Sequence, residues 1–175
     1  MSGPIFSRRR FLRVSLAAGG AVVLGSAGVL ALLGRVPGVA GLRVLSPRQY
    51  RTLSLLALAA FPEGEGFPRG ARDADLARRF DEFLADEPAW NQDDLRTGLT
   101  LLELGPLVFE RRLTTFSRLG PAERLAHFER WGQGRLVQRQ VALALRKFLS
   151  LAFYDRPEAW PAIGYDGPLL PAVER

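Results

Sequence analysis

From Val14 to Gly34 the chain runs 21 residues, VSLAAGGAVVLGSAGVLALLG, without a charged side chain. Directly before this run stands SRRRFLR, residues 7–13, carrying four arginines. A basic cluster followed by an uncharged stretch has the form of an export signal. The chain therefore divides into a leader, residues 1–40, and a domain, residues 41–175, and a fold is expected only of the second. At ~1.5 Å per helical residue the uncharged run reaches ~31 Å, just enough to cross a bilayer core as a transmembrane helix. Its glycine content and moderate hydrophobicity also suit a removable signal, and Gly38 and Ala40 offer a weak small-residue cleavage site after Ala40. Removal and retention are both compatible with these residues. Either way the positive-inside bias keeps Arg8, Arg9, Arg10 and Arg13 cytoplasmic and leaves the domain outside.

The spacing within the cluster is more specific. Ser7, Arg8, Arg9, Phe11 and Leu12 resemble the twin-arginine motif, in which paired arginines stand two residues before Phe-Leu. That resemblance implies the Tat translocase, which moves cargo already folded and reads the motif as an address, not as an anchor. The alternative is the basic flank of an ordinary signal anchor. The expected location is the periplasm or the outer face of the cytoplasmic membrane.

Net charge misleads until the leader is set aside. The whole chain is +6, with 24 basic and 18 acidic residues. Five of the arginines precede Gly41 and all the acidic residues follow it, so the domain holds 19 basic against 18 acidic, a net +1. A nearly neutral domain lacks the phosphate-neutralising footprint of a nucleic-acid binder. The chain has no cysteine and one histidine, His127. Disulfides, thiolate nucleophiles, cysteine-ligated clusters and histidine-rich metal sites are thereby excluded from this chain.

The domain reads as all-α, a bundle of five to six helices with an irregular aromatic C-terminal tail. GRVPGVAGLR (34–43) is a Gly/Pro linker. Ser46 as N-cap and Pro47 at the first helical position open a helix with Tyr50, Leu53, Ala57, Ala60 and Phe61 at helical spacing. A loop follows at 62–70. Asp73 caps a second helix through about Asp86, with Leu76, Phe80, Phe83 and Leu84 inward. A third begins near Asn91 or Gln92 with Leu95, Leu99 and Leu102, and Gly105-Pro106 should kink or restart it. Pro121 starts a fourth, with Leu125, Phe128 and Trp131 inward. The last, about Arg135 to Tyr154, carries an apolar stripe of Val137, Val141, Leu145, Phe148 and Ala152, opposed by Arg135, Gln138, Arg139 and Arg146.

Few residues suggest chemistry. The row Arg135, Arg139 and Arg146 suits an acidic partner or simply solvent. Asp81-Glu82, Asp86-Glu87 and Asp93-Asp94 are explained by capping or exposure, and nothing pairs them with a base or nucleophile. His127 reads as a half-exposed helix residue. The tail, FYDRPEAWPAIGYDGPLLP (153–171), has too many prolines and glycines to be helical throughout. Trp160, Ile163 and Tyr165 need an apolar cover, from the domain's own bundle or from another subunit.

LSPRQYRTLSLLALAAFPEG, ERLAHFERWGQGRLVQRQVALALRKFLSLAFYD and above all PEAWPAIGYDGP resemble the gluconate 2-dehydrogenase subunit 3 family. These are the small, Tat-exported subunits of membrane-bound flavin-dependent sugar and sugar-acid dehydrogenases. The resemblance runs from about Leu45 to Pro168. It departs at Phe153-Tyr154-Asp155, where Tyr-Tyr-Asp is frequent, and across 86–116 it is only a helical pattern. It implies a non-catalytic subunit, without a cofactor of its own, that escorts and stabilises a GMC-type, FAD-bearing large subunit. Electrons would pass from substrate to FAD in that partner and on to a cytochrome c subunit or quinone, never through this chain. Trp131, Tyr154, Trp160, Ile163, Gly164, Tyr165, Asp166, Gly167 and Pro168 are the residues expected to face the partner or fix the tail. Two other readings stand beside it: a stand-alone, membrane-tethered helical envelope protein, and an enzyme working through carboxylates.

Overall fold

The structure, a computed structural model, describes residues 34–61 and 76–167. Those residues form five α-helices and no strand: α1 (Pro47–Ala60), α2 (Leu76–Ala85), α3 (Ala89–Glu110), α4 (Pro121–Gly132) and α5 (Leu136–Tyr154). Short 3-10 turns lie at Phe116–Arg118, Pro157–Ala159 and Pro161–Ile163. Each of α2, α3 and α4 packs against both α1 and α5, so one core is shared by all five. Among the described residues no helix is long and apolar enough to cross a membrane. The uncharged run lies outside the described residues except for Gly34, as do the 62–70 loop and the Asp73 cap.

Helix starts follow the local chemistry. Ser46 Oγ accepts the Gln49 N–H at 3.3 Å, and the Gln49 side chain accepts the Ser46 N–H at 2.9 Å. This reciprocal pair with Pro47 satisfies orphan donors at the head of α1. Glu123 closes the start of α4 on the Gly120 N–H at 3.1 Å, and Gln138 the start of α5 on the Arg135 N–H at 2.9 Å.

The inward stripe of α5 is as expected, with Val141, Leu145 and Ala152 buried and Val137 and Phe148 packed against the core. Three expectations are corrected. Of the kink or restart expected at Gly105-Pro106, the restart is overturned, because α3 runs through both residues. Proline costs it one backbone bond, while burial of the preceding turns, from Leu99 to Pro106, anchors the helix through this point. Phe83 is 40% exposed, because the inner face of α2 turns through Leu76, Ala77, Phe80, Asp81 and Leu84. His127 is fully buried, not half-exposed.

The Gly/Pro stretch is strapped to the body. Asp81, itself buried, accepts backbone N–H bonds from Arg43 at 2.6 Å, Val44 at 3.0 Å and Leu45 at 2.7 Å. One turn back on the same helix, Arg78 donates to the Ala40 carbonyl at 3.2 Å and 3.3 Å. Arg48 donates to the Gly34 carbonyl at 2.8 Å. Gly41 sits at φ +74°, where a Cβ would stand 3.1 Å from the Arg78 guanidinium, so glycine suits both its backbone and its neighbour. The chain from Gly34 to Leu45 is therefore tied to the helices at both ends.

Candidate functional site

The C-terminal tail forms a compact aromatic turn on the end of α5. Phe153 is buried and stacks on Phe61 with centroids 4.6 Å apart, while Arg156 lies 4.5 Å over its ring. The Trp160 indole N–H donates to the Tyr154 carbonyl at 3.0 Å, and the Tyr165 N–H donates to the Trp160 carbonyl at 3.0 Å. Tyr165 meets the Trp160 ring edge to face at 5.2 Å. Two glycines make this closure possible. Gly164 has φ +66°, and Gly167 has φ +110° with a would-be Cβ only 3.3 Å from the Trp160 ring.

The residues expected to face a partner or fix the tail thus fall into separate groups. Trp160, Gly164 and Gly167 shape the turn. Tyr154, Ile163, Tyr165 and Asp166 are exposed around it. Trp131 belongs to neither group: it is buried between Phe109 and His127 in the core. Pro168 and the residues expected to form an export signal, Ser7, Arg8, Arg9, Phe11 and Leu12, lie outside the described residues.

Buried polar side chains elsewhere tie elements together. Glu103 accepts from the Thr52 hydroxyl of α1 at 3.0 Å and from Ser117, through its N–H at 3.1 Å and its hydroxyl at 2.7 Å. His127 Nδ1 meets Glu110 Oε1 at 2.8 Å, and Arg130 donates to the same oxygen at 2.9 Å. Burial pushes the imidazole below its usual pKa, against the opposing pull of Glu110. Burial works to raise the Glu110 carboxyl, but the bonds from Arg130 and His127 together hold it below its ordinary value. A neutral imidazole donating from Nδ1 to a carboxylate satisfies both directions. The imidazole is fully buried and Glu110 partly exposed, and the pair joins α3 to α4. Among the described residues no group of three or more His, Cys, Asp or Glu side chains could hold a metal ion.

Sequence reasoning assigned Asp81 to capping or exposure, whereas it is buried; it missed Glu103, and on the outer side of α5 it named the arginines but passed over Leu136, Leu143 and Leu151, which are exposed. The leucines recur at spacings of seven and eight, a second stripe in the same helix that was visible in the sequence. Compared with protein-family models, curated proteins and solved structures, the chain matches none.

Proposed function

We propose that this chain is a non-catalytic helical subunit that escorts and stabilises a GMC-type, FAD-bearing dehydrogenase during Tat export and in the envelope complex. The observation that carries the reading is the C-terminal turn, where Tyr154, Ile163 and Tyr165 remain exposed around Trp160 although the turn is internally closed. Exposed large apolar side chains grouped at one end of a domain suit a permanent neighbour. The PEAWPAIGYDGP resemblance supplies the identity of that neighbour, and the arginine pair supplies the route. The dehydrogenase would carry the cofactor and the chemistry, this chain the address.

Closure of the turn on itself, by the Trp160 indole and the Tyr165 backbone, favours a second reading. In that reading the tail completes a stand-alone, membrane-tethered envelope protein.

Export tests the first reading. Changing Arg8→Lys together with Arg9→Lys should leave both this chain and the flavoprotein dehydrogenase inside the cytoplasmic membrane. Fractionation with a flavin assay on each compartment checks it. Unchanged delivery of the flavoprotein by the double variant would contradict the escort role.

A further inference from the structure

Helix α5 has two finished faces. One is the core stripe; the other points outward and carries apolar side chains along its centre, with the exposed Lys147 among them. Leu136 is 46% exposed, Leu143 69% and Leu151 54%, with Tyr154 exposed at the end. At 100° per residue, Leu136, Leu143 and Tyr154 fall within about 20° of one line along the helix, and Leu151 lies about 60° to one side. Single exposed leucines need no explanation, but Leu136 and Leu143 in line with the exposed Tyr154, with Leu151 alongside, form a patch.

Within the helix itself charge on this face is all positive, and the first carboxylate is Asp155, just past its end. Arg135, Arg139 and Arg146 lie about 60–100° to the other side of the ridge, all exposed. None of the three makes an ion pair among the described residues. From Arg135 to Tyr154 the sequence contains four cations and no carboxylate. Near the C-terminal end a shallow depression of ≈ 430 Å³ opens between Lys147, Ser150, Leu151, Tyr154 and Asp155. A depression with a cation and a carboxylate on its rim fits a protruding side chain better than a smooth lipid surface.

We infer that the outer face of α5 is a docking ridge for a protein surface that presents an apolar groove bordered by carboxylates. One apolar side chain of that surface enters the depression, and its carboxylates stand opposite Arg135, Arg139 and Arg146. The apolar centre supplies adhesion; the arginine row sets register and direction. This deepens the escort reading and rests on it for the identity of the partner chain.

The test places photoreactive p-benzoylphenylalanine at Leu143 of the full chain in envelopes of its host, with Leu113, 82% exposed on the loop after α3, as the control position. Cross-linked peptides are mapped, and flavin absorbance of the purified chain is read in parallel. Expected is a Leu143 adduct to another polypeptide at an apolar segment flanked by Asp or Glu. Arg139→Glu with Arg146→Glu should lower its yield at least about tenfold while the helical dichroism of the chain stays unchanged. An adduct to a second copy of this chain, an adduct to lipid, equal yields from both positions, or no Leu143 adduct would each overturn the ridge. Flavin scores the escort reading separately. A flavoprotein that co-purifies without a Leu143 adduct defeats the ridge alone. A mapped, charge-dependent adduct to a polypeptide without flavin supports the ridge and defeats the escort reading.

Discussion

Replacing Asp81→Ala should cost about 3 kcal/mol of stability, seen as a lower denaturant midpoint for the purified protein. The carboxylate accepts three successive backbone N–H groups, those of Arg43, Val44 and Leu45, and both its oxygens are occupied. Hydrogen bonds to a charged acceptor contribute roughly 1.5–3 kcal/mol each, though not additively around one group. Alanine would strip all three donors of their acceptor, and the Leu45 donor is buried with its residue. Asp81→Asn is the informative companion. Its remaining oxygen can still serve Val44 and Leu45, while its amide would face the Arg43 N–H donor to donor, so a loss of about 1 kcal/mol is expected. Equal stability of Asp81→Ala and the parent protein would mean that the strap is not held by this carboxylate. Hydrogen exchange at the Val44 and Leu45 amides gives the local readout, and both should lose protection in Asp81→Ala.

Gly105→Ala should destabilise the fold by about 2 kcal/mol, although alanine is the better helix former. The propensity gain of about 1 kcal/mol is set against a steric conflict. A Cβ at Gly105 would stand 2.7 Å from both His127 Nε2 and Trp131 Cζ2, and 3.1 Å from His127 Cε1. Both rings are buried and neither is the loose end of a flexible side chain, so α4 would have to move away from α3. That movement would also strain the His127–Glu110 bond and the edge-to-face contact of Trp131 with Phe109. The matched control is Gly132→Ala at the end of α4, where nothing lies within 4 Å and no loss is expected. If thermal or denaturant unfolding ranked the two variants equally, the close approach of α3 and α4 at Gly105 would be refuted.

The helical class and most of the core were legible because they rest on periodicity. The stripe from Val137 to Ala152 in α5, the Leu95–Leu99–Leu102 face of α3 and the Ser46-Pro47 start of α1 needed only local rules. What the sequence concealed is tertiary. Asp81 looks like any helical acid until the strap supplies three donors 36–38 residues away in the chain. Its inward place is also what turns Phe83 out, since a helix face holds only so many residues. His127 reads as polar and half-exposed, yet the missing Cβ of Gly105 on another helix makes room for its ring. At Gly105-Pro106 a local rule pointed to a kink or a restart, and burial of the turns up to Pro106 kept α3 from restarting there. The tail was legible as non-helical and in need of cover. Which of its residues would provide the cover was not, because Trp160, Gly164 and Gly167 act through contacts that form only when the turn closes.

The most direct measurement is purification of the tagged full chain from solubilised envelope, with flavin absorbance and the mass of any bound polypeptide read on the same fractions. The escort account expects a yellow complex holding a second, larger flavin-bearing polypeptide in constant proportion to this chain. A colourless preparation containing this helical chain alone would contradict it.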